Sequence, residues 1–129
     1  MPKLSRWAIR AALFWLVVGW AIGAWLMMTR AWGWSAQAWF YIDHHIAMVL
    51  FGWTLQLVIA VAYWILPTFG GRQNRGREPA AWASIVAVNL GAVAIVAGAA
   101  MAAAVVSWLV ATLCFGWHAW PRVKEFGPA

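Results

Sequence analysis

Acidic side chains are nearly missing from this chain: three occur in 129 residues, beside one cysteine and two tyrosines, and only 9% of residues carry charge. A single cysteine, Cys114, excludes any disulfide within the chain, and its apolar surroundings make it a small buried hydrophobe. Three scattered carboxylates exclude a paired-carboxylate centre. No nucleophile–base pair, glycine-rich phosphate loop or Cys/His cluster is present either, so no complete catalytic constellation can be assembled. Soluble domains are about 25% charged, and so low a charge content leaves too little polar surface for a water-soluble globule of this size.

What remains is apolar: 66% of residues are hydrophobic and 13 are tryptophan. A membrane helix needs roughly 20 apolar residues, so the length accommodates four spans, short links and two stub tails. The expected fold is all-α, an integral membrane four-helix bundle forming a single domain over 1–129. Its spans are expected at about 11–29, 41–66, 80–98 and 103–120. The first run follows Lys3, Arg6 and Arg10 and is closed by Arg30. Trp15, Trp20 and Trp25 lengthen it beyond a usual signal core, so it reads as an uncleaved span. Pro67, lacking an N–H, ends the second span. The segment from Thr68 to Pro79, TFGGRQNRGREP, reads as the polar loop. The 41 apolar residues from Ala80 to Trp120 would reach about 60 Å as one helix. That is twice the hydrocarbon thickness, so the stretch must fold back, with the turn expected within Gly98 to Ala103.

The net charge of +6 acquires its meaning from this arrangement. Lys3, Arg6, Arg10, Arg72, Arg75, Arg77, Arg122 and Lys124 fall on one side of a four-span bundle and Arg30 alone on the other. The asymmetry places both termini in the cytoplasm, in a bacterial-type inner membrane, and makes a nucleic-acid partner unnecessary. Trp32, Trp34 and Trp39 at one boundary, with Trp7, Trp117 and Trp120 at the other, fit interfacial belts. In the third span, Ala83, Ala87 and Gly91 recur every four residues, as do Ala94 and Gly98, which reads as a close-packing face in the bundle or at a subunit contact.

Intramembrane ionisable groups are costly, so the histidines stand out. His44 and His45 begin the second span beside Asp43. His118 lies at the opposite end of the fourth, roughly 20–30 Å away along the rise of the helices, so one metal site using both His45 and His118 is excluded. His118 reads as an interfacial side chain. Offsets of 7, 11 and 18 from His45 return to nearly the same helical face and select Gly52, Gln56 and Tyr63. This stripe suits a flat cofactor, with an imidazole for iron, a glycine leaving room for a macrocycle, and two hydrogen-bonding groups beyond. Two alternatives stay open. The His pair can sit in the interface bonded to water or Asp43, or it can bind copper with Met27, Met28, Met48 and Met101, all in the same outer third.

The segment HHIAMVLFGWTLQLVIAVAYWILP resembles the second helix of subunit I of haem-copper oxidases and nitric oxide reductases, with a His near its outer end, a following Met and an aromatic–Leu–Pro ending. WASIVAVNLG resembles the start of that family's third helix, and the chain also looks like small four-span proteins described as subunit I-like. The resemblance implies that His45, 22 residues before Pro67, is the ligand of a low-spin haem b. His44 falls one residue out of register, and the resemblance places Tyr63 and Trp64 at the family's Asn-Tyr or equivalent pair. Nothing in the chain corresponds to the helices that bind copper or the high-spin haem, so oxygen or nitric oxide reduction by this chain alone is not expected. The expected role is electron transfer, haem handling or sensing. A second axial ligand would come from Met27 or Met28, or from His45 of a second copy in a homo-oligomer, and Arg30 would pair with the propionates. The alternative roles are a cofactor-free accessory or assembly subunit of a larger respiratory or photosynthetic complex, and a copper-binding protein using His44 and His45.

Overall fold

A computed structural model describes residues 1–34, 36–68 and 74–123. The paired glycines and Arg72 of the polar loop, and Lys124 of the tail, lie outside the described residues. Among those described, all regular secondary structure is helical, without strands. Four helices are long and apolar enough to cross a membrane.

Helix α1 runs from Lys3 to Trp32, eight residues earlier than the first apolar run suggests. Pro2 at its N-cap supplies a fixed φ, and KLSRWAIRAA contains nothing that interrupts a helix once started. The second rod, Gln37–Ile65, is composite. A 3₁₀ segment, Ala36–Tyr41, leads into α2, Ile42–Ala47, then a π-helical stretch, Met48–Leu55, and finally α3, Gln56–Ile65. The Thr54 hydroxyl donates to the Val49 carbonyl five residues back at 2.8 Å, following the wider turn of the π segment. The rod stops where expected: Leu66 is extended, at ψ 143°, as the residue before a proline prefers to be. Helix α4, Glu78–Val96, and helix α5, Met101–Ala119, form a tightly packed hairpin, and a 3₁₀ turn, Trp120–Arg122, follows.

The hairpin turn falls at Ala97–Ala100, earlier than the expected Gly98–Ala103. Gly98 adopts φ 73°, the Ala99 N–H reaches the Ala94 carbonyl at 2.9 Å and the Gly98 N–H reaches Ile95 at 3.1 Å. This is a Schellman ending, which needs the left-handed conformation that glycine takes without strain. Gly98 therefore ends α4 and does not extend its packing face. Ala83 is exposed as well, so the stripe read through it is also displaced. The buried face of α4 runs through Ser84, Ala87, Val88, Gly91 and Ile95, with the Trp108 indole of α5 seated against Gly91 and donating to the Val88 carbonyl at 3.3 Å.

Two apolar clusters fill the interior. One joins Leu4 and Ala8 of α1 to Ile59, Ala60 and Tyr63 of α3, to Ile85 and Val88 of α4 and to Ala111 of α5. The other gathers Trp15, Met48, Ile95 and Trp108, with Phe51 stacked on Trp108 at a centroid distance of 4.0 Å. Trp15 spans the bundle, its indole N–H donating to Asn89 Oδ1 at 2.8 Å, so both groups are satisfied in an apolar setting. Met48, expected among the outer ligand-type methionines, is fully buried in this core. The outer surface is densely apolar. Val17, Trp20, Val58, Leu90, Leu109 and Leu113 are each more than half exposed, which is compatible with a multi-pass membrane protein. The six tryptophans read as belt residues are all exposed.

Candidate functional site

The His45 end of the bundle is built on two glycines of α1. Gly19 and Gly23 form a G-x-x-x-G pair, and the rod carrying His45 lies directly on them. A Cβ at Gly23 would fall 2.6 Å from His45 Cε1 and 2.8 Å from Nδ1, while one at Gly19 would fall 2.9 Å from Val49 Cγ2. Only residues without side chains allow this approach. It brings His45 Nδ1 to 2.8 Å from the Gly19 carbonyl oxygen. A carbonyl only accepts, so Nδ1 carries a proton and donates it, which in the neutral ring leaves Nε2 as the nitrogen with a lone pair. Among the described residues Nε2 has no hydrogen-bond partner.

His45 also lines an apolar cavity of about 390 Å³ together with Trp20, Gly23, Ala24, Leu26, Met27 and Ile42. Its size lies in the range of small-molecule and cofactor sites, and its character, mostly apolar with one convergent polar group, is typical of them. Met27 is the other ligand-type side chain lining it. Met28 does not line it, and both methionines are exposed. Arg30, one turn beyond Met27 on α1, places its guanidinium 5.7 Å from the Trp39 ring centroid.

The remaining members of the stripe are inward-facing but engaged elsewhere. The space expected at Gly52 is taken by Trp15, whose Cβ would lie 2.8 Å from a Cβ built there. Gln56 is fully buried and donates to the Ala8 carbonyl at 3.2 Å, with Oε1 unpartnered among the described residues. Tyr63 belongs to the opposite end of the molecule. The stripe therefore forms the internal seam of the rod, and the cavity opens beside His45 toward α1. His44 does not line this cavity. Its ring lies 5.2 Å from that of Tyr41, and its Nδ1 is buried without a partner among the described residues. Of the residues named for copper, only His45 and Met27 line this cavity and Met48 is buried in the core; among the described residues no three His, Cys, Asp or Glu side chains converge.

The opposite end holds a group that sequence reasoning missed. Arg122 is fully buried, with Nε donating to Pro67 O at 2.9 Å and Nη2 to Leu66 O at 2.6 Å and Tyr63 O at 3.2 Å. Its Nη1 donates to His118 Nε2 at 2.7 Å, and His118 Nδ1–H donates to Arg77 O at 3.0 Å. His118 is buried rather than interfacial, and both ring nitrogens are used. A guanidinium set among the last carbonyls of α3 satisfies acceptors that a helix end leaves open and complements its dipole. Arg75 and Arg77 act alike, donating to Tyr63 O at 3.0 Å and to Trp117 O at 3.2 Å. The readable signal was the i, i+4 spacing of His118 and Arg122 across the last helical turn.

Comparison of the chain with protein-family models, curated proteins and solved structures yields no match. Nothing found there links it to subunit I of haem-copper oxidases.

Proposed function

We propose that the chain is an integral membrane protein, with both termini in the cytoplasm, that binds haem b through His45 Nε2. The observation that carries this reading is the Nδ1–H bond to the Gly19 carbonyl beside an apolar cavity. A carbonyl accepting from the far ring nitrogen fixes a ligating imidazole's tautomer and orientation and raises its basicity. The donor set fits the group: neutral imidazole and thioether are common axial ligands of haem iron, and apolar walls suit a macrocycle. Met27 would be the second in-chain ligand, and Arg30 would pair with the propionates. Bound haem would supply a one-electron iron couple, suited to electron transfer, haem handling or sensing. The π segment beginning three residues after His45 adds weight, since π turns recur at functional sites. The bilayer placement rests on the four apolar helices, and the orientation rests on the clustering of basic residues at the Lys3 end.

The test is the optical spectrum of protein expressed with ample haem precursor. A Soret band in the wild type, absent in His45→Ala at equal yield, is expected. A colourless wild type would overturn the proposal, and a colourless protein held in a larger complex would favour an accessory subunit. Metal analysis showing stoichiometric copper in place of iron would favour the copper reading. If the second axial ligand is His45 of another copy, Met27→Leu leaves the spectrum unchanged and the coloured species elutes as a dimer.

A further inference from the structure

At the Lys3 end, between the first turns of α1 and α4 and the end of α3, lies a cavity of about 570 Å³ whose lining includes Lys3, Leu4, Tyr63, Arg75, Glu78 and Trp82. It is separate from the His45 site and plays no part in the function proposed above. We propose that it binds the headgroup of an anionic phospholipid of the phosphatidylglycerol type. Arg75 commits Nη1 to the Tyr63 carbonyl at 3.0 Å, and its guanidinium stands 5.3 Å from the Tyr63 ring centroid. The side chain is thereby held in place at the cavity wall with Nε and Nη2 uncommitted to backbone among the described residues, ready for a phosphodiester. Lys3 adds a second cation from α1. The buried Arg122, 5.5 Å from the same Tyr63 ring, raises the positive potential behind the wall. Glu78 is an acceptor suited to the glycerol hydroxyls of the headgroup.

The apolar remainder identifies a lipid rather than a free anion. Leu4 and Trp82 form the apolar wall, and exposed Val86 continues down α4 below Trp82, so an acyl chain can leave the cavity along the helix surface. Basic pockets between membrane helices on the cytoplasmic side recurrently hold anionic headgroups. The inference rests on the bilayer placement above and is independent of haem.

The test measures thermal unfolding of the purified full chain in a neutral detergent, by tryptophan fluorescence, with added dioleoylphosphatidylglycerol, dioleoylphosphatidylcholine or inorganic phosphate. Phosphatidylglycerol is expected to raise the midpoint saturably and phosphatidylcholine to do so far less. Lys3→Gln should weaken half-saturation by phosphatidylglycerol roughly fivefold, the scale of one basic residue near an anionic headgroup, while leaving the lipid-free midpoint unchanged. Arg75→Gln should weaken it at least as much. Equal effects of the two lipids, or an unaltered response in both variants, would overturn the proposal. A comparable effect of inorganic phosphate would overturn the lipid assignment in favour of a free-anion site.

Discussion

His45 and His118 are the same side chain at opposite ends of one bundle, each with Nδ1 donating to a backbone carbonyl. Their remaining nitrogens differ. His118 Nε2 accepts from Arg122 Nη1 and the ring is sealed from solvent, so the imidazole is a structural link among α3, α4 and α5. His45 Nε2 is free among the described residues and its ring borders an apolar cavity. A histidine in an apolar helix thus becomes a candidate ligand through what the second nitrogen lacks, and histidine content alone would not separate the two.

The change expected to break this comparison most severely is Arg122→Met. It leaves the Pro67, Leu66 and Tyr63 carbonyls and His118 Nε2 without their donor, and hydrogen bonds to charged groups contribute about 1.5–3 kcal/mol each. A loss of about 3 kcal/mol or more is expected as a lowered unfolding midpoint in detergent, with the haem spectrum of surviving folded protein unaltered. His118→Ala should cost about 1–3 kcal/mol by leaving Arg122 Nη1 unpaired, again without a spectral change. Gly23→Ala acts at the other end. Its Cβ would drive the His45 ring from its seat, and overpacking of this kind costs about 1–3 kcal/mol. Its diagnostic result is loss or displacement of the Soret band, which the first two variants should not show. Trp15→Phe keeps the packing against Gly52 but loses the bond to Asn89, for about 1 kcal/mol and an unchanged spectrum.

The sequence was most legible where one residue type decides the backbone. Pro67 ended the second rod as expected, and the length of the Ala80–Trp120 stretch required a hairpin, whose position Gly98 then set through its left-handed φ. The exposure of the tryptophans read as belt residues was legible because an indole at the end of an apolar run needs no partner from elsewhere in the chain. Legibility failed where a partner helix decides. The 100° rule grouped His45, Gly52, Gln56 and Tyr63 and found an inward seam, yet only tertiary packing shows that Trp15 fills the gap at Gly52. The π segment turns by less than 100° per residue and is invisible to that rule. The glycines that seat His45 were readable as Gly19-x-x-x-Gly23, a pattern overshadowed by the small residues of α4. Arg122 was counted only as a topology charge. Its role as a buried cap depends on Pro67 and the end of α3, 55 residues away in the chain.

The most direct test is a haem titration of purified wild-type protein, His45→Ala and His118→Ala, followed at the Soret maximum. The account predicts a saturable ligated spectrum in the wild type and in His118→Ala, and none in His45→Ala. A ligated spectrum retained in His45→Ala but lost in His118→Ala would contradict it.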